Sequence, residues 1–471
     1  MDETKASSKM FTKAKASSHL PSIRIISTAL VLLLLLLLTL SHFYSSASPS
    51  YLFRKWQGVP SSKNDDLTSK LRDSVTFLPL KDLRFSKTAM EGNTWFMSSL
   101  TDTRDVNESE YLYFPSQASK GRILCIQGSN DKDGTKNSYA LAWPEALPEA
   151  AELTKGLTFV SDSYYDYVNL WHGLTAMAPF VGWSMKNGCL RPSRWVLFHW
   201  GERRGKMGSW LQKLMEANFG EVKIEGFEGD DEGGGKAQCF EKAVVMRHNV
   251  GSMGKEKELQ VFEQLRCRAR RYCGLNPAGK GRREVDDASI RLTLLLRRGS
   301  RSFKNARAVT DVFAKECAEV RGCVMKVVQS EELTTFCDQV RTMTETDIVA
   351  SPHGAQLTNM LFMDRGSSVM EFFPKGWFEL AGIGQYVFHW MADQSGLIHQ
   401  GAWWEPMAKK ECPSPDNELE CFFFYKDGQV GHNETYFGEW ARRVLNQVRD
   451  SKVEGHGKRM KIKADSNACT C

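Results

Sequence analysis

Neither sign of charge dominates this chain of 471 residues, in which 62 Lys and Arg face 56 Asp and Glu for a formal net charge of +6. Half of that excess sits in the first 24 residues, where Lys5, Lys9, Lys13, Lys15 and Arg24 outnumber Asp2 and Glu3. The remaining body has too little excess charge to attract a bulk polyanion, and nucleic acid is not expected as a partner. The cluster Arg266, Arg268, Arg270, Arg271, Lys280, Arg282 and Arg283 reads as a solvated face. No Cys-x-x-Cys pair with distant partners occurs, and Cys469-Thr-Cys471 is too short for a zinc site on its own. No Gly-x-Ser-x-Gly elbow is present, so Ser351 and His353, two positions apart in one turn, lack the geometry of a hydrolytic nucleophile and its base. Asp131-Lys-Asp133-Gly134 formally matches the Asp-x-Asp element of metal-dependent transferases but reads as a turn. With Ser129 it also outlines a calcium loop, yet Ala140 stands where a bidentate Glu belongs, so a calcium-binding module at 129–140 is the weakest reading.

What is present begins with residues 25–44, an uncharged run containing seven consecutive Leu. At about 1.5 Å per helical residue it spans roughly 30 Å of hydrocarbon. A cleaved signal peptide has a shorter apolar core, of about 7 to 15 residues, so an uncleaved anchor is expected. The basic tail before it stays cytosolic by the positive-inside rule, which places everything after Tyr44 in a lumen. Twelve Cys in such an oxidising compartment imply disulfides, with Cys267 and Cys273, Cys317 and Cys323, and Cys412 and Cys421 as neighbouring candidates. Asn107-Glu-Ser109 and Asn433-Glu-Thr435 are glycan acceptor sequons.

More than 400 residues follow the anchor, which is too many for one hydrophobic core. A Ser-, Lys- and Asp-rich stem is expected over 45–107, an N-terminal domain over 108–283, a C-terminal domain over 284–410 and a tail over 411–471. In the first domain, strand-like runs occupy Ile123 to Ile126, Leu157 to Val160, Trp195 to His199 and Ala243 to Met246, and 228–236 reads as a surface loop. In the second, apolar runs at Leu292 to Leu296, Val324 to Val328, Ile348 to Ala350 and Val369 to Phe373 alternate with helical stretches near 310–321, 331–343 and 355–363. Such alternation predicts a parallel sheet covered by helices, with Thr310 and Ser330 as N-caps and Gly322 at a helix end. Tyr436, Phe437, Trp440, Val444, Leu445 and Val448 keep a helical period that fits either a helix closing back on the first domain or a plain core helix.

Ligands of open α/β sheets sit beyond the carboxyl ends of the strands. There the sequence places a basic loop from Arg297 to Asn305, the turn Ser351-Pro-His-Gly-Ala-Gln-Leu-Thr-Asn359, and Glu371 in an otherwise apolar run. At the small-residue bend Gly354-Ala355 the helical N–H groups are unshielded, and these donors with the helix dipole favour a phosphate. His353 stands beside them. Arginines directly after a strand make bidentate bonds to phosphate oxygens, and Asn305 can orient a neighbouring group. Glu371 needs either a salt bridge or a ligand hydroxyl.

Arg-x-x-Arg-x-x-x-Asn (Arg298, Arg301, Asn305), His-Gly-Ala-x-Leu-Thr-Asn (His353 to Asn359), Glu-Phe-Phe-Pro (Glu371 to Pro374) and, upstream, Asn169-Leu-Trp-His172 together resemble glycosyltransferase family 61, especially its plant members. The match runs from about 155 to 405. The resemblance implies an inverting GT-B enzyme, α/β throughout, with two Rossmann-like domains facing a cleft and a UDP-sugar held by the C-terminal one. On that analogy Arg298, Arg301 and His353 with Gly354 and Ala355 hold the diphosphate, Glu371 the ribose, Asn305 and Asn359 line the donor side, and Asn169 lies on the acceptor side. Cations and helix N–H groups stabilise the departing UDP, so no metal or other cofactor is expected. The partners implied are a polysaccharide or glycoprotein glycan acceptor and the Golgi membrane, crossed once in type II orientation, with the ER as the alternative. Xylose, arabinose and N-acetylglucosamine all fit as the sugar.

An acceptor hydroxyl also needs a base. Many relatives carry an acid four positions after the His of Asn-x-x-His, but Ala176 stands there. His172 is the candidate base, with Asp162 and Asp166 as further candidates; a core histidine is the competing reading of His172. A catalytically inactive, membrane-anchored carbohydrate-binding or scaffold protein is the alternative that Ala176 leaves open.

Overall fold

The computed structural model describes residues 61–83, 110–163, 167–224, 236–247, 253–279, 289–407, 411–458 and 469–471. The expected cytosolic tail and anchor, most of the stem, Asn107, Asp166 and the greater part of the 228–236 loop lie outside the described residues. Among the described residues no helix is long and apolar enough to cross a membrane. The chain divides into two compact units, Met1–Ser69 and Lys70–Cys471. Of the first, the described part is the beginning of the helix Ser61–Asp73.

The second unit is mixed α/β and, among the described residues, holds two sheets. The first has nine strands: β1 (Leu78–Pro79), β2 (Tyr111–Phe114), β3 (Ile123–Gln127), β4 (Ser138–Ala142), β5 (Glu152–Asp162), β6 (Arg194–His199), β7 (Glu202–Arg204), β8 (Lys223–Ile224) and β9 (Gln238–Met246). They run in the order β1-β4-β3-β9-β5-β6-β7, with β2 also paired to β9 and β8 to β6. Within it β8-β6-β5-β9 is a parallel set, whereas β2, β3 and β4 join antiparallel. The crossover from β5 to β6 is the helix Leu170–Lys186, apolar on almost every face and buried from Trp171 to Ser184. A helix of that composition belongs inside a core. Asn169 starts it, its side-chain oxygen accepting from the N–H groups of Trp171 and His172.

The second sheet has five strands, β10 (Ile290–Leu296), β11 (Cys323–Gln329), β12 (Ile348–Pro352), β13 (Ser368–Phe372) and β14 (Ile398–Trp403), in the order β11-β10-β12-β13-β14. All neighbours are parallel. Strands β12 and β13 are buried throughout, as continuous apolar runs covered on both faces must be. In chain order the strands lie 2-1-3-4-5, so the direction of winding reverses between β10 and β12. One hydrophobic core joins both sheets through Phe159, Trp195, Phe262, Leu295, Met360 and Val369. A second core packs the far face of the five-stranded sheet under the final helix.

Several local expectations are corrected. The first helix of the second block begins at Ala306, capped by Asn305, because an Asn side chain reaches the free Ala308 N–H; Thr310 instead bonds back to Ala306 O inside the helix. Ser330 opens a short 3-10 turn, and the helix Phe336–Thr344 is capped by Thr335, which accepts from Asp338 N. The turn after β12 leads into a 3-10 helix, Ala355–Phe362. Cys317 pairs with Cys323 and Cys412 with Cys421, as their spacing suggested. Cys267 and Cys273 do not pair with each other: they lie on one helix and at its end, and each reaches a distant partner, Cys469 and Cys337 respectively. Cys125–Cys239 and Cys189–Cys471 complete the set.

The basic cluster is not simply a solvated face, because Arg266 and Arg270 are each 1% exposed. Arg266 donates to Leu361 O and Ser395 O, and Arg270 to Phe362 O and Asp364, so two guanidinium groups satisfy carbonyls where helices end. The helix Glu434–Lys458 packs its Phe437, Trp440, Val444 and Leu445 on the five-stranded sheet, with Arg442 forked onto Glu316. What returns to the first block is the chain end, fastened through Cys469 and Cys471 to Cys267 and Cys189.

Candidate functional site

The reversal between β10 and β12 is the ordinary ligand position of a doubly wound sheet. Arg297 follows β10, and His353-Gly354 follows β12. Arg297 Nη1 donates to Gln356 Oε1 at 3.2 Å and lies 3.5 Å from His353 O. Gly354 leaves room for this approach, because a Cβ there would push aside the ends of the Arg297 and Gln356 side chains. Arg301 enters the same space from a residue in left-handed backbone, φ 61°, a conformation uncommon for a side chain of this size. It is held there because Arg301 N bonds to Gly428 O and Val430 N to Ser302 O, lacing the loop to the segment before the final helix.

Arg301 meets His353 at an aromatic wall. Arg301 Cζ lies 5.6 Å from the centre of the Trp377 ring, and the His353 and Trp377 rings are 4.1 Å apart. Phe373 stacks on His353 at 4.6 Å. Burial lowers the pKa of Arg301 to about 10, and Arg297 adds to the effect while Asp427 opposes it. Burial also lowers that of Arg297, against Glu331. Two cations desolvated side by side form a strong attractor for an oxyanion.

Beneath them Glu371, on β13, is fully buried. Its Oε1 accepts from His353 Nδ1 and its Oε2 from His399 Nε2 at 2.9 Å. Burial alone would raise the Glu371 carboxyl, but the charge and hydrogen bonds of His353 and His399 hold it below its usual value. For His353 burial dominates and, despite Glu371, keeps its pKa lowered, with Arg301 and Arg297 adding to the shift. Since Nδ1 gives its hydrogen to the carboxylate, a neutral His353 carries its lone pair on Nε2.

The sequence candidates divide accordingly. Arg301, His353, Gly354, Ala355 and Glu371 come together around this crevice. Arg298 points its side chain to solvent, and its backbone N–H donates to Glu331. Asn305 serves as a helix cap instead of orienting a ligand group. Asn359 is buried and accepts from Trp210 Nε1 at 2.8 Å, tying the 3-10 helix to the helix Ser209–Phe219 of the first block. Gln356, Trp377 and His399 were given no role from the sequence, and Arg297 stood only as the start of the basic loop. Arg297 directly follows Leu296, the last residue of β10, which is the signal for it over Arg298, while nothing local marks His399, whose partner lies 28 residues away.

In the first block, Asp162 closes β5 and is 7% exposed. His172 stands in the first turn of the next helix, 9% exposed, and burial followed by the nearby His199 lowers its pKa to about 3. Ala176 lies one turn further into the core. Asp133 caps its own turn through Thr135, as a turn reading of that stretch expects. Asn433 is exposed and caps the final helix by accepting from Tyr436 N.

No curated protein matches this chain. Among solved structures it is similar to an oxidoreductase from Corynebacterium diphtheriae in an orthorhombic crystal form, at 10% identity over 36% of this chain and 98% of that one. The TM-score of 0.23 is too low for that likeness to carry an argument. The family model described as Glycosyltransferase 61 matches residues 193–370, from the first residues before β6 to the middle of β13, and so takes in Arg297, Arg301 and His353-Gly354. Over residues 193–370 this chain therefore carries a glycosyltransferase family 61 domain.

Proposed function

We propose that the protein transfers a sugar from a UDP-sugar to a glycan acceptor with inversion, in the lumen of the secretory pathway. The observation that carries this reading is the meeting of Arg297, Arg301 and the His353-Gly354 turn at the reversal point of the five-stranded sheet. In it, the two guanidinium groups take the diphosphate oxygens and the wall of Trp377 and Phe373 keeps water out. Charge that develops on the departing diphosphate then meets cations already desolvated and fixed, which is electrostatic preorganisation. Glu371 acts below the site, orienting His353, so its contribution to donor binding runs through that imidazole. A GT-B arrangement, with two sheets facing a cleft, is the frame this reading takes, and the Trp210 to Asn359 bond ties the two blocks together.

A purified lumenal part incubated with a panel of UDP-sugars, with and without cell-wall oligosaccharides, should release free UDP in one acceptor-dependent combination. Calorimetric titration with UDP separates the remaining cases. Binding without turnover would favour a non-catalytic carbohydrate-binding relative, the reading that the buried Ala176 keeps open; absence of UDP binding would overturn the donor site.

A further inference from the structure

Three donor groups at the arginine site are buried and have no hydrogen-bond partner within the protein: Arg297 Nε, Arg301 Nε and Trp377 Nε1. Buried donors are nearly always paired, so each of these needs an explanation. Trp377 is the least expected of them. It is 5% exposed, and the Arg301 guanidinium carbon lies 5.6 Å from the centre of its ring. Its other neighbours, the rings of His353, Phe373 and Phe422, take no hydrogen bond from it. Arg297 reaches the same place through the His353 carbonyl, 3.5 Å from its Nη1.

One segment fixes both the indole and Arg301. Gly376, at φ 73°, packs on the ring of Tyr425 so closely that a Cβ would come within 2.8 Å of it. Phe422, one turn before Tyr425 in the helix Glu418–Lys426, stacks on Trp377 at 6.2 Å. Cys421, next to Phe422, is bonded to Cys412. Shortly after the helix, Gly428 O accepts from Arg301 N at 2.9 Å. Trp377 and its support all lie beyond residue 370, where the family match ends.

We propose that Trp377 is a phosphate-binding residue of the donor site, its indole N–H donating to an oxygen of the phosphate group that Arg301 also holds. An indole N–H and a guanidinium Nε–H donate and never accept. A hydroxyl placed among these three groups would bring a hydrogen of its own and find no acceptor in them, whereas an ionised phosphate oxygen only accepts. Hydrogen bonds to an ionised oxygen are also the stronger kind. The assignment rests on the donor reading above and adds to it an uncharged donor beside the two cations.

The test measures UDP binding to the full-length protein by calorimetry, and inorganic pyrophosphate by its displacement of UDP. Trp377→Phe keeps an aromatic ring and removes the N–H. Replacement of Trp377 by benzothienylalanine keeps the bicyclic shape as well and removes the N–H alone. Both changes should weaken UDP and pyrophosphate by about tenfold each, since the two ligands share the phosphates. Wild-type affinity for UDP in the benzothienyl protein, or a loss confined to UDP with pyrophosphate unchanged, overturns the assignment to Trp377 and leaves the donor reading standing. A loss in Trp377→Phe alone marks a packing role and overturns the assignment equally. Wild-type protein that binds no UDP, or binds it without displacement by pyrophosphate, overturns the phosphate reading of the site, and the role of Trp377 with it.

Discussion

His399 Nε2 donates to Glu371 Oε2 across 2.9 Å, in a place where the carboxylate has no exposure to water. An ion this deep depends on every partner it has, and removal of one partner from a buried pair costs about 3–5 kcal/mol. His399→Phe should therefore lower the melting temperature by several degrees. The pH dependence follows from the lowered Glu371 pKa: its stabilisation is present above the unfolded carboxyl value and is lost as pH falls through the folded one. Without His399 the folded value rises, so acid unfolding of the variant should begin at higher pH. A variant that melts and acidifies like wild type would remove this role for His399.

Arg297 and Arg298 are adjacent in sequence but face opposite ways, and only Arg297 lines the crevice. A charge-assisted hydrogen bond contributes about 1.5–3 kcal/mol, or roughly one to two powers of ten in affinity. Arg297→Ala should weaken UDP binding by about that factor in calorimetry, while Arg298→Ala should stay within about threefold. Equal losses in the two variants would contradict the orientation seen here.

His172 is kept neutral in the fold, its pKa lowered from 6.5 to about 3 by burial and then by His199. The unfolded chain takes up that proton first, so the contribution of His172 is complete above the unfolded value and fades as pH falls toward the folded one. Each pH unit within that window costs about 1.4 kcal/mol. Chemical denaturation between pH 7 and 5 should show a steeper loss in wild type than in His172→Gln, by about 2 kcal/mol over the interval below 6.5. Parallel curves for the two proteins would disprove a neutral, enclosed His172.

Cys469 and Cys471 fasten the chain end to Cys267 and Cys189, across 202 and 282 residues of sequence. On the chain-entropy account a loop of this size gives about 4–5 kcal/mol for the first closure, and less for a second one nearby. Cys469→Ser with Cys471→Ser should cost about 5 °C or more in melting temperature, and either single change markedly less. Equal melting temperatures for the double variant and wild type would show that these bonds do not support the native state.

The sequence made the five-stranded sheet readable because its inner strands are buried on both sides and appear as unbroken apolar runs. β14 escaped notice because Ile-His-Gln-Gly-Ala-Trp has neither alternation nor a continuous apolar stretch, and only its place beside β13 makes it a strand. The phosphate-suited turn at His353-Gly354 was legible from small residues at a strand end. Its partners were not, since Trp377 and His399 are brought in by packing over long separations. The long side chains of Arg266 and Arg270 misled for a similar reason: helical spacing shows where a guanidinium starts, and distant carbonyls decide where it ends.

Strand β9 is the middle of the nine-stranded sheet, with β5 along one edge and β2 and β3 along the other. A polypeptide emerging from its amino end therefore holds two separate half-sheets with bare hydrogen-bonding edges until Met246 has been made. Exposed edges of this kind invite pairing with other chains. Fragments that stop short of Gln238 should be sticky and insoluble, and a soluble expression boundary has to be drawn beyond the central strand.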